Sequence, residues 1–110
     1  MDAQLKRGIL EAGVLALLMK GESYGYQLIR EVSSLMEISE STLYPVLRRL
    51  EGAGCLTVRS KEHNGRLRKY YAITAAGQDR VQSFLREWQE ADRMYQFILK
   101  QNEEQRGNEQ

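Results

Sequence analysis

A mainly helical winged helix-turn-helix is the fold class predicted by this 110-residue sequence, and three observations predict it. Residues 39–50 have the spacing of a short amphipathic helix. A β-hairpin with one basic face follows at once, turning on Asn64-Gly65. A long helix with heptad-spaced apolar residues closes the chain. Such a helix can enter a nucleic-acid groove, and such a hairpin can grip phosphate.

The first helix is expected over residues 5–20. Leu5, Ile9, Val14, Leu17 and Leu18 recur at helical spacing, and residues 12–19 are apolar nearly all round, which implies burial on most sides. Lys20-Gly21 ends it, with Gly21 free to adopt the left-handed conformation. Ser23 is expected to cap a second helix through Leu28, Ile29 and Val32. Ser39 is expected to cap a third, in which Leu43, Val46, Leu47 and Leu50 stand at i, i+3, i+4 and i+7. Pro45 lacks a backbone donor, so either the regular helix begins nearer Ser41 or Thr42, or it bends at Pro45. Gly52 and Gly54 stop it.

Strands are expected over residues 55–62 and 66–73. Asn64-Gly65 is the strongest short signal for a two-residue hairpin turn, and it fixes the register. Val58 then faces Tyr71, and Leu56 faces Ile73, on an apolar face. On the other face Lys61 opposes Arg68, Arg59 opposes Tyr70, and His63 opposes Arg66. Like charges set opposite one another are destabilising unless an anion neutralises them. Thr74 caps the last helix, expected from Ala75 to Lys100. Val81, Phe84, Trp88, Ala91, Tyr95 and Ile98 are spaced 3, 4, 3, 4, 3 along it, a dimerisation seam that wants a partner helix. Leu85 and Phe97 widen the seam.

The formal net charge is only +1, but its distribution is uneven. Arg59, Lys61, Arg66, Arg68 and Lys69 stand against the single acid Glu62 between residues 59 and 69, while the segments on either side are weakly acidic. The lone Cys55 excludes an internal disulfide and reads as a small core hydrophobe. No cleavable leader follows Lys6-Arg7, and no apolar run approaches the length of a membrane span, so a cytoplasmic protein with no membrane partner is expected. Catalysis has little to stand on. His63 is the only histidine and falls beside the turn; Glu11 and Asp92 are isolated acids without a nucleophile. No catalytic residue, metal site or cofactor is expected.

DNA binding is expected from the exposed face of the third helix. Ser41 and Thr42 suit phosphate oxygens at its start, and Tyr44 and Arg48 face the groove. Lys61, Arg66, Arg68 and Lys69 of the wing add affinity with less sequence information.

The segments Tyr24-Gly25-Tyr26-Gln27-Leu28, Ser41-Thr42-Leu43-Tyr44-Pro45-Val46-Leu47-Arg48-Arg49-Leu50-Glu51 and Gly65-Arg66-Leu67-Arg68-Lys69-Tyr70-Tyr71-Ala72-Ile73-Thr74-Ala75-Ala76-Gly77 resemble the PadR family of bacterial transcriptional regulators. The likeness spans about residues 5–100. Leu67 departs from it, standing where a proline or arginine is common between the two arginines. The resemblance implies a homodimeric repressor of double-stranded DNA with a pseudo-palindromic operator, and places Tyr24 and Tyr26 near the DNA backbone. The chain is expected to divide into a DNA-binding region (1–74), a dimerisation helix (75–100) and, from its polar composition without an apolar residue, a disordered tail (101–110). The single C-terminal helix is similar to the short subfamily, which includes multidrug-binding repressors. There Trp88 and Asp92, with Leu85 one turn earlier and Ala12 on the opposite wall, would bind a planar aromatic or cationic effector. Trp88 could equally be a large seam residue. The alternatives to a plain repressor are such a ligand-gated sensor and a winged-helix protein-interaction module.

Overall fold

The computed structural model describes residues 1–108. Seven elements follow in the order α1 (Ala3–Leu18), β1 (Ser23–Tyr24), α2 (Gly25–Ser33), α3 (Glu40–Gly52), β2 (Leu56–His63), β3 (Arg66–Ile73) and α4 (Ala75–Asn108). The chain is mainly helical, with a small antiparallel sheet in the order β1-β3-β2.

The first helix starts two residues earlier than its apolar pattern implies. The reason is Asp2, whose carboxylate accepts from the backbone N–H groups of Gln4 and Leu5, both at 3.1 Å. Leu10, Val14, Leu15 and Leu18 of α1 pack against Leu28 and Val32 of α2 and Leu43, Val46, Leu47 and Leu50 of α3. Eight leucine and valine side chains in this cluster are fully buried, and burial on this scale is the main favourable contribution to folding. Cys55, Leu56 and Tyr71 close the core from the hairpin side.

Ser23 does not cap α2. It lies in the short strand β1, paired with Tyr71 of β3, and Tyr24 precedes the helix with extended backbone and no side-chain cap bond. Ser39 does sit at the start of α3, but its hydroxyl shares hydrogen bonds with the hydroxyls of Ser41 (2.9 Å) and Thr42 (3.2 Å) and caps no backbone N–H. The helix begins at Glu40, earlier than Ser41 or Thr42, and includes Pro45. Pro45 falls early enough that the cost is one missing bond, to the Ser41 carbonyl.

The hairpin has the expected register: Leu56 pairs with Ile73, Val58 with Tyr71, Arg59 with Tyr70, Lys61 with Arg68 and His63 with Arg66. Asn64 and Gly65 both have positive φ, +51° and +80°, as a two-residue primed turn requires. Thr74 joins the hairpin to α4. Its hydroxyl donates to the Gly54 carbonyl (2.6 Å) and accepts from the Gly77 N–H (3.1 Å).

The helix α4 does not stop near Lys100 but runs on to Asn108. Residues 101–108 are thus helical and not a disordered tail; Glu109 and Gln110 lie outside the described residues. The segment Gln101-Asn102-Glu103-Glu104-Gln105-Arg106 has no apolar face, but it is rich in strong helix formers, and Arg106 complements the dipole in the last turn.

Candidate nucleic-acid interface

The outward face of α3 is set by its inward one. Leu43, Val46, Leu47 and Leu50 are locked in the core, which leaves Ser41, Tyr44 and Arg48 exposed and Thr42 half-buried. Tyr44 lies over Gly25, so close that a Cβ there would meet the Tyr44 hydroxyl at 2.6 Å. The absence of a side chain at Gly25 is what lets α2 begin under the Tyr44 ring.

A concavity of about 490 Å³ separates this face from the wing. It is lined by Gly25 and Tyr26 of α2, Tyr44 of α3, Tyr24 of β1, and Arg68, Lys69 and Tyr71 of β3. The two tyrosines at the start of α2 diverge. Tyr26 is exposed, with the Arg30 guanidinium 6.0 Å from its ring centroid. Tyr24 packs edge-on against Tyr70 (centroids 5.8 Å apart), and the Arg68 guanidinium lies 3.9 Å from its ring centroid. Burial pushes the Tyr71 phenol above its ordinary pKa.

The wing cations divide by face and by partner. Pairing places Arg66, Arg68, Arg59 and Lys61 on one face, and Lys69 on the other with Tyr71. Arg59 donates to Glu22 from Nε (3.0 Å) and Nη2 (2.8 Å), and Lys61 Nζ donates to the same carboxylate. The bonds from Lys61 and then Arg59 hold the Glu22 carboxyl below its ordinary pKa. The anion that relieves this like-charge face is therefore part of the chain itself. Among the described residues, Arg66 and Lys69 enter no ion pair.

The second candidate region lies on α4. Of the expected seam, Val81 packs into the core of its own chain and is not free to meet a partner. Phe84 is half-buried and stacks on Trp88, with centroids 5.7 Å apart and planes inclined by 19°. Ala91, Tyr95 and Ile98 are exposed, the last two by 56 % and 57 %. Met94, Phe97 and Leu99 add further exposed apolar surface; of these the seam pattern included only Phe97. Gln4, Leu5, Gly8 and Ile9 of α1 face Phe84, Glu87, Trp88 and Ala91 across a concavity of about 290 Å³. Trp88, Ala91, Asp92 and Tyr95 line another of about 360 Å³. Ala12 is not in either wall. It is buried in the single chain, where Leu5, Gly8 and Ile9 line the α1 side of the first concavity. Leu85 is exposed but lines neither concavity.

Residues 14–83 match the PadR-like family of transcriptional regulators. The chain belongs to this family. A PadR-family regulator from Eggerthella lenta superposes with a TM-score of 0.78 at 31 % identity, over 87 % of this chain and 86 % of that one. A Streptococcus mutans protein superposes with a TM-score of 0.77 at 36 % identity, over 86 % of this chain and 89 % of that one. The negative transcriptional regulator PadR of Bacillus subtilis is 29 % identical over 82 residues, which cover 70 % of this chain and 45 % of that protein. This chain thus spans less than half of the Bacillus PadR.

The family consists of transcriptional regulators and not enzymes. In this PadR-family chain, no group of three or more potential metal ligands occurs among the described residues. No helix there is long and apolar enough to cross a membrane. Sequence reasoning missed two ion clusters. One is Glu22 with Arg59 and Lys61. The other is Glu11, only 9 % exposed, which accepts from Arg49 Nε of α3 (3.2 Å) and Arg80 Nη2 of α4 (3.1 Å). Arg80 also reaches Cys55 Sγ at 3.7 Å. Glu11 is therefore a structural tie between three helices. Its position within an otherwise apolar run was the available signal, since a buried acid needs partners.

Proposed function

We propose that this chain is a homodimeric repressor that binds a pseudo-palindromic site in double-stranded DNA. The observation that supports it best is the shared cleft, which Tyr44 of α3 lines together with Arg68 and Lys69 of the wing. One groove-sized helix and one cationic strand are thereby aimed at the same duplex. In this reading Tyr44 and Arg48 meet base edges. Ser41, Thr42 and Tyr26 meet backbone phosphates, and Tyr24 acts by holding Arg68 in place. The exposed stripe Ala91, Tyr95 and Ile98 of α4 joins two copies, since contiguous apolar surface on a helix marks an interaction site.

The test is retention of a duplex taken from upstream of the protein's own gene, titrated across salt. The wild type should bind with a steep salt dependence. Changing Arg66 and Lys69 together to alanine should weaken binding to all sequences alike and lower the slope of log K against log salt by about 0.9 per lost phosphate contact. An unchanged slope would remove the wing from the interface.

A second reading, ligand gating, is favoured by the stacked Phe84–Trp88 pair beside Asp92. An indole and a carboxylate on one concave apolar wall suit a planar cation. Planar cationic dyes should quench Trp88, the only tryptophan, and Asp92→Asn should weaken that quenching about tenfold, as for loss of one charge contact of roughly 1.4 kcal/mol. Dye binding that ignores the Asp92 change would count against the site.

A further inference from the structure

We propose that Glu22 is a specificity-determining residue, because it withholds Arg59 and Lys61 from DNA phosphate and leaves Arg66, Arg68 and Lys69 as the gripping charges of the wing. The inference rests on the DNA-binding reading above and deepens it.

The geometry is that of a bracket across the sheet. Glu22 immediately precedes β1, which pairs with one edge of β3, while Arg59 and Lys61 belong to β2 on the other edge. The carboxylate therefore spans the sheet over Tyr70. Arg59 meets both of its oxygens, at 2.9 and 2.8 Å from Nη2 and at 3.0 Å from Nε, and Lys61 donates to Oε1. Lys61 is also held over the Tyr70 ring, 4.6 Å from its centroid. A carboxylate in a two-point grip on arginine fixes that guanidinium in one orientation. Lys61, which sequence alone counts as a phosphate ligand, and Arg59 beside it are thus already partnered. Arg68 is fixed differently, by stacking on Tyr24.

An exposed ion cluster contributes little to stability, so the fold does not require this one. Its effect is on the field in front of the wing. Sequence-independent binding scales with the number of phosphates that cations neutralise. Glu22 lowers that number and adds a repulsive charge, while the base-reading face of α3 is untouched. The consequence is weaker binding to arbitrary DNA and a larger ratio of specific to non-specific affinity.

The test compares the full-length wild type with Glu22→Gln, which keeps the size and removes the charge. Fluorescence anisotropy is read on a labelled duplex of unrelated sequence at several salt concentrations. The variant should bind about tenfold tighter at 0.1 M salt, with a slope steeper by about one to two charges per protomer. The triple variant E22Q/R59Q/K61Q should return both values to those of the wild type. If the wild type binds and E22Q binds no tighter with the same slope, the inference is overturned. It is equally overturned if E22Q binds more weakly, since Glu22 would then be scaffolding for the wing. If neither protein holds any duplex at low salt, the DNA-binding reading itself fails and takes the inference with it, an outcome distinct from the other two because the wild type is silent.

Discussion

Tyr95→Glu combined with Ile98→Glu is expected to turn the protein into a monomer and abolish operator binding. Both side chains stand on the outward stripe of α4 and are more than half exposed in the single chain, so the substitutions leave the core of each copy intact. In the proposed dimer they would be buried, and each introduced carboxylate would lose its hydration without a partner. Burial of an unpaired charge costs several kcal/mol even after relaxation. Two such sites per copy correspond to a loss of dimer affinity of at least about a thousandfold. Light scattering after size exclusion reads the mass directly, and circular dichroism should show the helical content little changed. A variant that stays dimeric would place the interface elsewhere on the molecule.

Gly77→Ala is expected to cause the largest loss of stability from a single methyl. The first turn of α4 crosses so close to the hairpin that a Cβ at Gly77 would collide with the Cys55 carbonyl oxygen and come within 2.7 Å of Ile73 Cγ1. The first of these is backbone, tied by the Thr74 N–H to Cys55 carbonyl bond (3.1 Å), so it cannot swing aside. Overpacking of this kind costs about 1–3 kcal/mol. For a chain of this size that is a fall in Tm of roughly 5–15 °C. Gly52→Ala is the control, since nothing lies within 4 Å of the added carbon, and its Tm should not fall. Equal melting of Gly77→Ala and the wild type would show that α4 can lift away from the hairpin freely.

Local signals in the sequence account for most of the frame. Asn64-Gly65 determined the hairpin register because a two-residue turn admits little else, and the leucine spacing of α3 determined which of its faces is outward. What escaped depends on contacts far apart in sequence. A two-residue strand has no periodicity, so β1 could not be seen, and Ser23 looked like a helix cap. Glu22 is 37 residues from Arg59, and Glu11 is 69 residues from Arg80; no local pattern pairs them. Ala12 has the composition of a cavity wall, but its burial in the single chain depends on packing that no local pattern reveals. Val81 fits the heptad spacing and yet packs inward, since α4 begins against the core and leaves it only afterwards. The outward side chains of α3 were legible as a helix face, but the distribution of wing cations between free and tethered was not.

The helix α4 has 34 residues and is therefore about 51 Å long, in a molecule whose longest dimension is 66 Å. Its first turns hold it to the body, through Gly77, Arg80, Val81 and Phe84. It is a mast stepped in a shallow socket. A tilt of a few degrees at the root sweeps the far tip by several ångströms, and the converse holds as well: whatever clasps the tip steers the head with a long mechanical advantage.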